Sequence, residues 1–214
     1  MMGLSDFHLS FSWWTVFVLQ YTIVALVLTL LSGGVFRYSS KVVIFFYFFS
    51  FLMSSTSFCV FLTAFFDDSR KAGLIGLLLY FAGWVVAGNL AGDSASKATK
   101  VICSLLHPAV LYFRGTDNFV YLEQAQVGVT ADTIGSPKDQ NDLSMMDTLV
   151  LMWFDTFLFI VLHWYFDKIV PSSRGVALPF YFFLVPSYWS TGEVYTISNA
   201  NYDVIDARLV ALIL

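Results

Sequence analysis

Among the side chains that can do chemistry, Asp155 stands apart by its setting. It lies ten positions into residues 145–166, a run of 22 residues that is otherwise mostly apolar. At 1.5 Å of rise per helical residue it sits ~15 Å along such a helix, close to the midplane of a bilayer. A carboxylate at that depth costs about 2.5–3.5 kcal/mol on insertion scales, so it should face a helix bundle or a wet cavity rather than lipid. Two roles fit: a polar lining point on a substrate path, or a protonated or hydrogen-bonded carboxyl that locks helices together. Gln20, in the middle of another apolar run, is a candidate partner. Asp147 and His163 lie near the ends of the Asp155 run, where a side chain reaches the interface cheaply, and read as boundary residues.

Little else has the spacing of a reactive site. Cys59 and Cys103 both sit inside apolar runs, without the spacing of a metal site or a disulfide framework, and read as small hydrophobes. His8 and His107 have no partners for metal binding or catalysis and read as structural. No Ser/His/Asp or Cys/His constellation emerges, so catalytic, cofactor-binding and metal-ligating residues are all expected to be none. The chain contains no G-x-x-x-x-G-K-[ST] loop, whose glycines and lysine cradle phosphates, so ATP hydrolysis of that kind is not expected from it.

The elements that position these residues follow from composition. Of 214 residues 58% are hydrophobic, 19% aromatic and 12% charged, against about 25% charged in an ordinary soluble domain. A water-soluble fold of this size cannot hide that much apolar surface, which excludes a cytosolic enzyme, a disordered linker and a disulfide-stapled secreted module. The net charge is −4 and no basic run is present, so nucleic acid is not an expected partner. Residues 11–31, 42–66 and 72–90 carry no charge over 21, 25 and 19 positions. With 145–166 they predict four spanning helices in an all-α, multi-pass integral membrane protein, with membrane lipids as its surroundings.

A fifth apolar run, residues 101–113, is too short to span and carries Pro108 in its middle. A re-entrant or interfacial helical hairpin over about residues 99–122 is the better reading. The polar stretch 114–143 follows, with Arg114 and Lys138 against Asp117, Glu123, Asp132, Asp139 and Asp142. Positive charge leaves orientation open: Arg70, Lys71, Lys168, Arg174 and Arg208 fall on one side, and Arg37, Lys41, Lys97, Lys100, Arg114 and Lys138 on the other. Four spans place both termini on the same side.

Within the third span Ala72, Gly76, Gly83 and Ala87 fall within about 60° of one another at ~100° per residue, a candidate helix-packing face. Trp13, Trp14, Trp164, Tyr165, Tyr188 and Trp189 flank apolar runs as an aromatic belt does.

A more specific resemblance rests on residues 145–189. Met145-Met146-Asp147-Thr148-Leu149 leads through Trp153-Phe154-Asp155-Thr156-Phe157-Leu158 to His163-Trp164-Tyr165-Phe166-Asp167-Lys168-Ile169-Val170-Pro171. Gly175-Val176-Ala177-Leu178-Pro179-Phe180-Tyr181-Phe182 and Ser187-Tyr188-Trp189 follow. This pattern resembles the last transmembrane helix of A-subfamily ABC transporter half-domains and the segment after it. Ser54-Ser55-Thr56-Ser57-Phe58 with Phe61-Leu62-Thr63-Ala64-Phe65-Phe66, and Ser104-Leu105-Leu106-His107-Pro108, resemble the family's second span in this block and its extracellular hairpin. The likeness covers about residues 11–190.

The resemblance implies an incomplete type V ABC exporter-like half-domain: four of the spanning helices plus a re-entrant extracellular hairpin. It implies a cytoplasmic N-terminus over 1–10, a transmembrane domain over 11–170, an outside loop at 114–143, and a juxtamembrane tail over 171–214. That tail would lead toward a nucleotide-binding domain outside this chain, which would hold ATP and Mg. The expected function is the transmembrane part of an ATP-driven transporter of lipids or other amphipaths. Its expected partners are a nucleotide-binding domain and a second transmembrane half. The family's first helix, its ectodomain and its ATPase domain have no counterpart here, so a truncated, non-transporting membrane protein that only packs with partner helices is the alternative. Leu31-Ser32-Gly33-Gly34 spells the start of the ATPase signature motif, but at the end of an apolar run with no nucleotide-binding fold around it. It reads as coincidence, because the motif works by presenting amides at a helix N-terminus.

Overall fold

The computed structural model describes residues 6–66, 68–170 and 178–184, whose regular elements are helices, with no strand among them. Six α-helices follow in order: α1 (Asp6–Ser32), α2 (Lys41–Thr63), α3 (Ser69–Asn89), α4 (Lys97–Leu106), α5 (Pro108–Gln124) and α6 (Met145–Ile169). Among the described residues four of them, α1, α2, α3 and α6, are long and apolar enough to cross a membrane. The chain is thus a multi-pass integral membrane protein, all-helical as its composition predicts.

Helices suit that solvent because every backbone group is satisfied within the element. The hydroxyls in the spans mostly follow the same rule. Thr15, Thr22 and Thr29 each donate to the carbonyl four residues back, at 2.9, 2.7 and 2.7 Å, and Thr156 does the same to Met152 at 2.9 Å.

The short helices are bounded by readable signals. Pro108 has no N–H and disfavours the helical region for the residue before it, so His107 is extended (φ −157°, ψ 124°) and the chain breaks there. Pro108 then occupies the first turn of α5, and His107 Nδ1 accepts the Ala109 N–H at 3.1 Å as its N-cap. Ser96 caps α4 by accepting from the Thr99 N–H at 3.2 Å. At the start of α6, Ser144 and Asp147 form a reciprocal box: Ser144 N–H donates to Asp147 Oδ2 (3.2 Å) and Asp147 N–H to Ser144 Oγ (3.0 Å).

α2 is the hub. It packs on α1, α3 and α5, and its rings meet α6 along its length: Phe49 with Trp153, Phe58 with Phe159, Phe61 with Phe166. The main cluster joins Ile44 and Tyr47 of α2, Leu111, Phe119 and Leu122 of α5, and Met145 and Met152 of α6. Tyr47 is its keystone, buried beneath Gly115, where an added Cβ would overlap the ring, and donating from its hydroxyl to the Tyr112 carbonyl at 2.6 Å. Lipid is as apolar as leucine, so this close packing and these hydrogen bonds are what hold the helices together.

The described residues from Lys168 onward belong to a second unit. Within it the Leu178 N–H bonds the Lys168 carbonyl (2.9 Å) and Phe182–Leu184 makes one 3-10 turn. The Gly175–Ala177 and Ser187–Trp189 parts of the tail pattern, and the first five residues, lie outside the described residues.

Candidate functional site

Asp155 sits on the buried face of α6 with Met145, Thr148, Met152, Thr156 and Phe159. It is 0% exposed, and neither carboxyl oxygen has a hydrogen-bond partner. Gln20 is not brought to it: Gln20 is exposed on α1. α1 is apolar on every side, so no stripe in its sequence tells which face turns to α2. Ser50 and Ser54 of α2, which had no site role in the sequence reading, are the other buried hydroxyls in the spans whose oxygens lack a partner among the described residues.

The small-residue face of α3 divides. Its upper half is covered: Gly83 lies under the His107 ring, close enough that a Cβ would overlap it, and Ala87 is buried with Ala91, Cys103 and Val110. The His107 ring is also flanked edge-on by Phe58 (4.6 Å) and Tyr80 (5.1 Å). The lower half is open. Ala72 and Gly76 border a cavity of about 450 Å³ with Leu62, Leu77 and Tyr80. A second cavity of about 450 Å³, bordered by Phe17, Leu52 and Val60, shares Cys59, Thr63 and Tyr80 with it. The hydroxyls on these walls are paired: Thr56 donates to Tyr21 (2.6 Å), and Ser55 bonds Tyr80 (2.8 Å). Both cysteines are free, Cys103 buried and Cys59 at the cavities.

The polar residues collect at one end of the bundle. Lys100 and Arg114 are each 1% exposed. Lys100 Nζ is 3.3 Å from Asp142 Oδ1, and Arg114 reaches Asp93 at 3.0 Å, Asp117 at 3.3 Å and Asp142 at 3.7 Å. Lys138 adds a bond to Asp93 (3.4 Å) and Lys97 one to Asp147 (3.0 Å). The α1–α2 connection joins the same end. Glu123 accepts from the Tyr38 N–H (2.7 Å) and the Ser39 hydroxyl (2.8 Å), while Ser39 Oγ accepts from the Val129 N–H (2.9 Å). Arg114 holds the Asp93 carboxyl below the usual carboxylate range, whereas burial pushes Asp117 up in spite of the same guanidinium. Four of the six cations on this end, Lys97, Lys100, Arg114 and Lys138, are thus paired with acids.

Leu31–Gly34 does not fit a nucleotide. It closes α1 instead of opening a helix, so it faces the negative end of the helix dipole. The Gly33 amide bonds the Leu30 carbonyl (3.2 Å), and those of Val35 and Phe36 bond Ser32 (3.0 and 2.9 Å).

The architecture defines a polytopic membrane protein with a charged, ordered cap at one end and laterally open cavities below it. No family model matches the chain. It is similar to A-subfamily ABC transporters along most of its length. It is 29% identical over 189 residues to the retinal-specific phospholipid-transporting ATPase ABCA4 of Bos taurus. It is 29% identical over 195 residues to the glucosylceramide transporter ABCA12 of Homo sapiens. Over 197 residues it is 27% identical to ATP-binding cassette sub-family A member 2 of Rattus norvegicus. These alignments cover 85%, 88% and 88% of this chain but only 8%, 7% and 8% of the relatives. What matches is a segment of a transporter.

Proposed function

We propose that this chain is a transmembrane part of an ATP-driven A-subfamily ABC transporter that moves lipids or other amphipaths. The observation that carries the reading is the similarity to a phospholipid-transporting ATPase and a glucosylceramide transporter over 85% and 88% of the chain. In this reading α4 and α5 are a re-entrant hairpin whose tip, His107-Pro108, inserts between α2 and α3. The contacts of His107 with Phe58, Tyr80 and Gly83 support it. The chain is an incomplete type V exporter-like half-domain, with residues 11–170 as its transmembrane domain. The charged cap faces outside; residues 1–10 and the tail from 171 face the cytoplasm, the tail leading toward a nucleotide-binding domain. ATP and Mg belong to that domain, and this chain is not itself the ATPase. Asp155 is a polar lining or packing point within the bundle, and the α3 face Ala72, Gly76, Gly83 and Ala87 is a helix-packing face.

The test is capture of the full chain from its native membrane, with photo-crosslinkable ATP used to find a nucleotide-binding partner. A stoichiometric ATP-labelled partner that carries a second transmembrane half is the expected result. A stable chain that captures membrane partners without any ATP-labelled subunit would favour the alternative, a non-transporting protein that only packs with partner helices.

A further inference from the structure

Ser50 and Ser54 lie one turn apart on α2, with Ser57 and Phe61 on the same face at about 100° per residue. That face meets α6, since the Phe61 ring is 5.6 Å from Phe159 and 5.8 Å from Phe166. The ring pairs Phe49–Trp153 and Phe58–Phe159 ascend both helices together, so α2 and α6 run in the same direction. Asp155 falls between these two pairs, at the level of the serines. Ser57 satisfies itself on the Met53 carbonyl (2.9 Å). Ser50 Oγ, Ser54 Oγ and both Asp155 carboxyl oxygens have no hydrogen-bond partner, and all three residues are at most 1% exposed.

Among the described residues no cation is paired with this carboxyl. Lys100 and Arg114 are bound to aspartates at the cap. On α2, Lys41 Nζ donates to the Phe36 carbonyl (2.7 Å), Tyr47 is bonded into α5, and Cys59 borders the cavities. On α5 the charged residues are Arg114, Asp117 and Glu123, of which Glu123 accepts from the α1–α2 connection. On α6, Asp147 is held by Ser144 and Lys97 about two turns above, and His163 lies eight residues below, roughly 12 Å along the axis. Asp167 and Lys168 lie further along, at the helix end. An ionised carboxylate in a dry apolar interface without a counter-ion is strongly disfavoured, whereas a neutral acid between two hydroxyls can be fully hydrogen-bonded.

We propose that Asp155, Ser50 and Ser54 form an intramembrane proton-binding site that closes α2 against α6. The carboxyl holds a proton taken from water, its O–H donates to one serine hydroxyl, and its carbonyl oxygen accepts from the other. When the two helices part and water enters, the acid gives the proton back to water, so the closed interface is the protonated one. This site needs only a membrane-embedded bundle, and it stands or falls independently of transport.

Infrared difference spectroscopy on the full chain in lipid nanodiscs at neutral pH tests it. Wild type minus Asp155→Asn should show the loss of one protonated-carboxyl carbonyl band, and the Ser50→Ala/Ser54→Ala double variant should move that band to higher frequency. No band lost at neutral pH would mean an ionised carboxylate and would overturn the site. A band lost but unmoved by the serine substitutions would overturn the serines' part. Titration of wild type alone gives a second readout should the Asn variant not assemble. A residual protonated-carboxyl band persisting at neutral pH, after the exposed acids have ionised, is the expected result, and its absence overturns the proposal.

Discussion

Gly83 lies directly beneath the His107 imidazole, so close that a methyl group on α3 at that position would occupy the ring's own space. The break made by Pro108 and the absence of a side chain at Gly83 are two halves of one joint, which seats the α4–α5 tip against the α3 span. Gly83→Ala should therefore destabilise the bundle by about 1–3 kcal/mol through overpacking. Gly88→Ala, where nothing lies within 4 Å, should be neutral or slightly stabilising, since alanine is the better helix former. Thermal unfolding in a fixed detergent compares the two. Equal effects at both positions would remove the joint.

The buried pair Lys100–Asp142 gives a larger effect. Removing one partner strands the other charge, which in buried pairs costs about 3–5 kcal/mol. Asp142→Ala is expected to lower the unfolding temperature strongly. The double substitution Lys100→Met/Asp142→Leu is expected to recover most of the loss. Calorimetry on both variants provides the check, and an additive double variant would contradict the pairing.

These two joints differ in how far sequence alone reveals them. Pro108 in a short apolar run was enough to place a break, because its chemistry is local. Three of the long helices were legible from charge-free length and the fourth from a mostly apolar run of spanning length, and Asp155's burial from its depth in that run. Lys100 was not recognisable as buried: it stands at the edge of an apolar run like any boundary lysine, and its partner Asp142 is far along the chain. Arg114 joins Asp93 and Asp142 in the same way, and only the folded cap makes one cluster of them. The failed pairing of Gln20 with Asp155 has a related cause. Depth can be read from position, but the rotation of a helix that is apolar on all sides cannot. Setting Ser50 and Ser54 at the level of Asp155 needed the α2–α6 register, which no local pattern carries.

The 125–144 segment enters the left-handed backbone region at two points, Gln126 and Gly128. Gly128 has φ +69°, and a Cβ there would overlap the Tyr38 carbonyl, so Gly128→Ala should loosen the α1–α2 connection as well as lower stability. Gln126 has φ +60° without being glycine, and Gln126→Gly should relieve roughly 1 kcal/mol. Hydrogen exchange at the Tyr38 and Val129 amides is the readout. It should rise in the first variant and not in the second.

Acid should act on the cap through Asp93. Its carboxyl is held below the ordinary range, chiefly by the hydrogen bond from Arg114. The stabilisation is thus present above its unfolded value of about 3.9 and is lost as pH falls through the lower folded value. Asp93 is largely exposed, so screening keeps the effect small. Below about pH 4, exchange at residues 90–96 should rise in wild type, and Asp93→Asn should show that faster exchange already at neutral pH. A wild-type segment indifferent to acid would contradict the assignment.

Transport itself is the decisive test of the proposed membership in an ATP-driven lipid-moving assembly. The complex captured with the full chain would be reconstituted into liposomes that carry fluorescent phospholipid, with ATP and with or without vanadate. ATP-dependent movement of the phospholipid between leaflets that vanadate abolishes is the expected result. Movement that is indifferent to both ATP and vanadate, or no movement from a complex that still hydrolyses ATP, would contradict it.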